Sequence, residues 1–132
     1  MAPAGKSSCH WDLCINEIIE GLYLGSVKAT TFPGTLDDMG ITHILSLGVR
    51  PQQLPNGLID SHFIDIDDTE LADITPHLPA IVQFISEGMT RGKVLVHCFA
   101  GSSRSGSAVI GFLMAKRNWD YMTALRFVQS KR

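Results

Sequence analysis

Apolar positions along this chain alternate between short runs bounded by glycine or proline and longer stretches at helical spacing. The Leu-Tyr-Leu run at 22–24, closed by Gly25, predicts a strand. Residues 35–39 have room for one helical turn, ended by Gly40. The run ITHILSL at 41–47 is rich in branched apolar residues, is stopped by Gly48, and predicts a second strand. Pro51, Pro55 and the Asn56-Gly57 pair mark 49–60 as a loop. Residues 61–66 set His62, Ile64 and Ile66 against Ser61, Phe63 and Asp65, which predicts a strand with both faces partly covered. An acidic turn, Asp67-Asp68-Thr69-Glu70, follows it.

Leu78, Ile81, Val82, Ile85 and Met89 share one face of a helix predicted over 74–89. Asp73 or Thr75 would cap it, Pro76 sits in its first turn, and Gly88 and Gly92 bracket its end. The buried run Val94-Leu95-Val96 predicts a strand over 93–97, and small residues make a loop of 98–102. The stretch 103–116 is apolar almost all round (Ala108, Val109, Ile110, Phe112, Leu113, Met114), so it reads as a central, buried helix. A last helix over 120–130 is capped by Asp120. Strands alternating with helices imply an α/β fold, a central and mostly parallel sheet flanked by helices on both faces. Ligands in such folds bind at the carboxyl ends of strands. The strand–loop–helix passage at 97–106 is therefore the place to look for chemistry.

Bulk properties narrow the classes. A chain of 132 residues suits one domain. Residues 1–10 read as a flexible tail and 11–132 as the folded unit. With 45% hydrophobic and 18% charged residues, no disordered, collagenous or repeat class fits. A net charge of −2, from 11 basic and 13 acidic residues, argues against nucleic acid or an acidic membrane surface as partner. The longest apolar stretch, 108–115, falls short of the ~20 residues of a membrane span, and residues 1–8 carry no signal-peptide core. Three cysteines, Cys9, Cys14 and Cys98, make no disulfide framework, so a reducing compartment, cytoplasm or nucleus, is expected. Cys9-His10 and Cys14 lack a second ligand pair for zinc, and neither metal nor cofactor is expected.

The segment HCFAGSSRSG, residues 97–106, carries the chemistry. Five residues lie between Cys98 and Arg104. If the loop curls into the helix that follows, the backbone N–H groups of residues 99–104 form an anion-binding nest on a helix N-terminus. Gly101 allows the tight turn, and Ala100, Ser102 and Ser103 are too small to block it. The planar fork of Arg104 suits two oxygens of a phosphate. Cys98 at the bottom of such an electropositive cup is favoured as thiolate, a nucleophile facing phosphorus. Cleavage of a phosphomonoester also needs an acid for the leaving oxygen, and Asp67 and Asp68 are the candidates.

The segment resembles the signature loop of the protein tyrosine phosphatases, and within them that of the small dual-specificity phosphatases. The pattern His-Cys-x-x-Gly-x-x-Arg-Ser is met by His97, Cys98, Gly101, Arg104 and Ser105. EGLYLGS at 20–26 and GITHIL at 40–45 are similar to the family's first two strands, and GFLM at 111–114 to the helix behind the loop. The likeness spans roughly residues 15–130. It implies a tyrosine phosphatase-like fold and a protein phosphatase that hydrolyses phosphotyrosine and phosphoserine/threonine through a cysteinyl phosphate, without a cofactor.

The family's acid lies about thirty residues before its cysteine, and the matching position is Asp68. The likeness gives Ser105 a hydrogen bond to the departing thiolate. Phe99, Ala100, Gly101, Ser102 and Ser103 join Arg104 in binding substrate, and His97 supports the loop from behind. The loop holds no lysine for extra phosphates, so a phosphorylated protein is the expected partner. The family usually continues beyond a segment like 122–132 with another helix. The expectation is thus a C-terminally short domain, monomeric or weakly dimeric. The rival readings are a phosphoprotein-binding module without turnover and a phosphatase for a non-protein phosphomonoester.

Overall fold

The apolar run at 94–96 becomes the centre of the sheet, because both of its faces and both of its edges are covered. The computed structural model describes residues 15–67, 73–100 and 104–132. Its strands are β1 (Ile15–Ile19), β2 (Leu22–Ser26), β3 (Ile41–Leu47), β4 (Asp60–Ile64) and β5 (Lys93–Cys98). Its α-helices are α1 (Pro33–Met39), α2 (Leu78–Arg91), α3 (Arg104–Arg117) and α4 (Tyr121–Ser130), with 3-10 turns at Val27–Thr31 and Thr75–His77. The sheet order is β1-β2-β5-β3-β4. β5 pairs in parallel with β2 and β3, β4 pairs in parallel with β3, and only β1 runs antiparallel, against β2.

Alternation in β5 sends Val94, Val96 and Cys98 to one face, where they join Ile81 and Ile85 of α2, Val109, Phe112 and Leu113 of α3, and Ala124 and Val128 of α4. Leu95 points the other way, into a smaller cluster with Ile15, Tyr23, Leu36 and Ile44. Each fully buried Leu or Ile in these layers stabilises the fold by about 1.5–3 kcal/mol. Helix α3 lies between α2 and α4, which explains its nearly all-round apolar character.

The strand at 41–47, the loop after it, and the helix capped by Asp120 appear where the pattern placed them; Asp120 accepts from Thr123 N–H at 2.8 Å. Three expectations need correction. β1 was not foreseen: its INEII pattern has no clean alternation, and its extended form comes from pairing with β2. The strand expected over 61–66 runs over Asp60–Ile64; Phe63 and Ile64 are partly and fully covered on opposite faces, as expected, while Asp60, Ser61 and His62 are exposed at the sheet's edge. The helix expected from 74 begins at Leu78 instead. Thr75–His77 form a 3-10 turn with Pro76 inside it, and α2 starts at Leu78 with Pro79 in its first turn, where a missing N–H costs little. Asp73 still accepts from Thr75 N–H at 2.9 Å, ahead of that turn.

Gly88 sets how closely α2 approaches the sheet: a Cβ there would lie 2.5 Å from Val94 Cγ2 and 3.1 Å from His43 Cγ. Replacing a mid-helix glycine by alanine gains about 1 kcal/mol of helix propensity, while overpacking costs about 1–3 kcal/mol. Because the clash at 2.5 Å is with a packed core side chain, Gly88→Ala is expected to be net destabilising, by up to about 2 kcal/mol, read from the urea midpoint.

Candidate active site

Cys98 is the last residue of β5 and is only 1% exposed. Its side chain is on the helix face, at the carboxyl end of the central strand, where α3 begins after the loop. The Cys98 Sγ and Ser105 Oγ atoms are 3.1 Å apart. Ser105 is the second residue of α3 and fully buried. The partial positive charge of a helix N-terminus falls within its first turn, and a sulfur beside Ser105 sits in that field.

Arg104 opens α3 and is 6% exposed. Its guanidinium does not point out to solvent. Nη1 donates to the main-chain carbonyl of Ile66 at 3.1 Å, directly before the acidic turn. Asp67, next in sequence, is exposed. Phe99 and Ala100 are exposed where the loop begins, and Val27 N–H donates to Phe99 C=O at 3.2 Å, fastening the loop's first residue to the exit of β2. Gly101, Ser102, Ser103 and Asp68 lie outside the described residues, as do Cys9 and Cys14.

His97 precedes the cysteine and by strand alternation faces away from it. Nε2 lies 2.7 Å from Ser46 Oγ in β3, and Nδ1 lies 3.4 Å from the Cys98 carbonyl. Burial pushes its pKa down to about 4, and the Cys98 carbonyl opposes that only in part. The ring is therefore neutral near pH 7. With the proton on Nδ1 directed at the carbonyl, Nε2 accepts from the Ser46 hydroxyl. A neutral ring lends the thiol no positive charge, and its contacts are with the Ser46 hydroxyl and the Cys98 carbonyl.

Three neighbours were not picked out from sequence. Ser46 had a readable signal, a polar residue inside an otherwise apolar strand run. Gly48 was read only as a strand stop. The Ile66 carbonyl has no signal in sequence. Among the described residues, no three or more His, Cys, Asp or Glu side chains cluster as metal ligands would, and no helix is long and apolar enough to cross a membrane.

A buried thiol on a strand end, a serine hydroxyl in contact with it and an arginine heading the same helix are groups that a cysteine-based oxyanion site requires. Comparison with known proteins agrees with that class. The profile described as "Dual specificity phosphatase, catalytic domain" matches residues 22–132. The chain belongs to the dual specificity phosphatase catalytic domain family. It is 41% identical over 124 residues to dual specificity protein phosphatase MPK-4 of Drosophila melanogaster, covering 89% of this chain and 32% of that protein. It is 32% identical over 127 residues to dual specificity protein phosphatase 13B of Mus musculus, covering 89% of this chain and 64% of that protein. The chain thus spans about one third to two thirds of the length of these relatives. Among solved structures it is similar to a human tyrosine phosphatase-like serine/threonine/tyrosine-interacting protein, at TM-score 0.78 and 32% identity, covering 87% of this chain and 82% of the other. The Yvh1 phosphatase domain of Chaetomium thermophilum gives TM-score 0.74 and 32% identity, covering 87% of this chain and 83% of the other.

The depressed His97 pKa has a consequence for stability. Between pH 6.5 and about 4 the unfolded chain protonates this imidazole and the folded chain does not. Its contribution is therefore constant above pH 6.5 and falls as the pH drops through that window. About 2 kcal/mol is expected to be lost between pH 7 and pH 5, from ~1.4 kcal/mol per pH unit below 6.5. Urea unfolding at the two pH values should show this loss in the wild type, with a distinctly smaller difference in His97→Gln.

Proposed function

We propose that this chain is the catalytic domain of a protein phosphatase that removes phosphate from phosphotyrosine and phosphoserine/threonine through a cysteinyl-phosphate intermediate. The observation that carries this reading is the Cys98–Ser105 contact of 3.1 Å at the mouth of α3, with Arg104 heading the same helix.

In the first step, Arg104 and the loop amides hold the non-bridging oxygens of the phosphoryl group. The Cys98 thiolate attacks phosphorus in line, an S–P bond forms, and the P–O bond to the alcohol breaks. The electron pair leaves with that oxygen, which takes a proton from Asp68. In the second step the Asp68 carboxylate accepts a proton from water, whose oxygen attacks phosphorus and releases inorganic phosphate. The sulfur departs as thiolate, stabilised by the Ser105 hydroxyl. Asp68 is assigned by its place thirty residues before the cysteine, 98 minus 68. His97 keeps the loop's first peptide in place and exchanges no proton near pH 7.

A phosphorylated protein is the proposed substrate. The exposed Phe99 and Ala100 at the loop entrance offer apolar contact rather than additional positive charge, which suits a single phosphate on a polypeptide better than a polyphosphorylated lipid. A shallow entrance would admit both long and short phosphorylated side chains. The domain is proposed to act without a metal or cofactor, as a monomer or weak dimer.

The test is hydrolysis of p-nitrophenyl phosphate and of singly phosphorylated peptides. Cys98→Ser is expected to abolish turnover while still binding vanadate, and Asp68→Asn to lower kcat by about a hundredfold. Ser105→Ala is expected to lower kcat more than KM and to let the cysteinyl phosphate accumulate after acid quenching. Turnover that persists in Cys98→Ser would end the mechanism. A folded wild type that binds oxyanions but turns nothing over would establish the phosphoprotein-binding module instead.

A further inference from the structure

Gly48 follows β3 with φ +78°, and its N–H donates to the Ile64 carbonyl at 2.9 Å, so the pairing with β4 continues one residue past the strand and fixes this glycine in place. Its open side is occupied. A Cβ at this position would collide with Arg104 Nη1 and with the Ile66 carbonyl oxygen, and would lie 2.9 Å from Arg104 Cζ. The guanidinium thus fills the volume that any other residue's side chain would take. Through that slot Nη1 reaches the Ile66 carbonyl, 38 residues away in sequence, at 3.1 Å.

We infer that Gly48 is a positioning residue: the gap left by its missing side chain seats the Arg104 guanidinium and lets it clasp the main chain at the root of the acidic turn. This deepens the reading above and rests on it for the role of Arg104. One bond then fixes two parts at once, the fork that receives phosphate oxygens and the segment from which the proton donor hangs. A requirement for positive φ does not account for the glycine by itself. Gly40 has the same backbone, φ +82°, closes α1, and would set its Cβ no nearer than 3.5 Å to the flexible Lys93 side chain. Gly40 satisfies a backbone requirement, whereas Gly48 satisfies that and a space requirement set by the arginine.

Gly40→Ala is therefore the control for backbone strain. Gly48→Ala is expected to raise both KM for p-nitrophenyl phosphate and the vanadate inhibition constant at least tenfold, and Gly40→Ala to leave both within twofold of wild type. In an Arg104→Lys background, Gly48→Ala should add little, because the group it displaces is already gone. A folded Gly48→Ala with wild-type KM and vanadate affinity, or with a full additional loss in Arg104→Lys, overturns the inference.

Should Gly48→Ala fail to fold, the double variant with Arg104→Ala decides: because the Ile66 carbonyl meets the Cβ in both, a partial gain of native signal over Gly48→Ala supports the collision with the guanidinium, and no gain at all overturns it. Hydrogen exchange of peptides covering residues 64–67 provides a readout independent of turnover. Exchange there is expected to rise in Arg104→Ala, and no change would refute the clasp. If the wild type neither hydrolyses nor binds oxyanions, the functional reading fails, and the exchange and folding measurements still judge the slot.

Discussion

The pairing of β5 between two parallel neighbours is the constraint on which this site depends. Ser26 and Cys98 are partners in register across β2 and β5, and Ser46 and His97 across β3 and β5. Because both edges of β5 are hydrogen-bonded and both faces buried, its last residue cannot drift. Helix α3 begins at Arg104, six residues after Cys98. A thiol on an exposed edge such as β4 would have neither the fixed position nor the helix mouth in front of it. The long apolar helix behind the loop serves the same end, since α3 is wedged between α2 and α4 and carries Arg104 and Ser105 at a defined height above the sulfur.

Local chemistry made much of this readable in the residues themselves. β3 was legible because glycines close both ends of a β-branched run, and α4 because Asp120 is an N-cap with its Thr123 partner three residues on. Of the segment HCFAGSSRSG, the strand end at Cys98 and the helix that starts at Arg104 were legible, because an apolar run precedes the small residues and another follows them. What escaped reading was set by other parts of the chain. β1 is a strand because β2 lies beside it. The first three residues of β4 are exposed because the strand falls at the sheet's edge, a fact about strand order that alternation within 61–66 does not contain. The slot at Gly48 involves Arg104 and Ile66, and no local pattern joins residues so far apart. Ser46 is intermediate: its polarity within a buried run was visible, but its partner His97 was not.

The two residues of the His97-Cys98 pair divide their work between the two faces of the sheet. Cys98 points to the layer that holds α3, where the helix mouth and Ser105 meet it. His97 points to the opposite layer, where burial among apolar groups holds it neutral and Ser46 holds its ring. A neutral His97 lends no positive charge, and the N-terminus of α3, with Arg104 and Ser105, lies on the sulfur's own side of the strand. Placing a cation where His97 stands would cost several kcal/mol of desolvation. A neutral, hydrogen-bonded imidazole fixes the Cys98 peptide without that cost. The two faces of one strand thus carry different groups, a neutral imidazole on one and a thiol beside Ser105 on the other, and the Arg104 guanidinium, held at Ile66, ties the start of α3 to the main chain that follows β4.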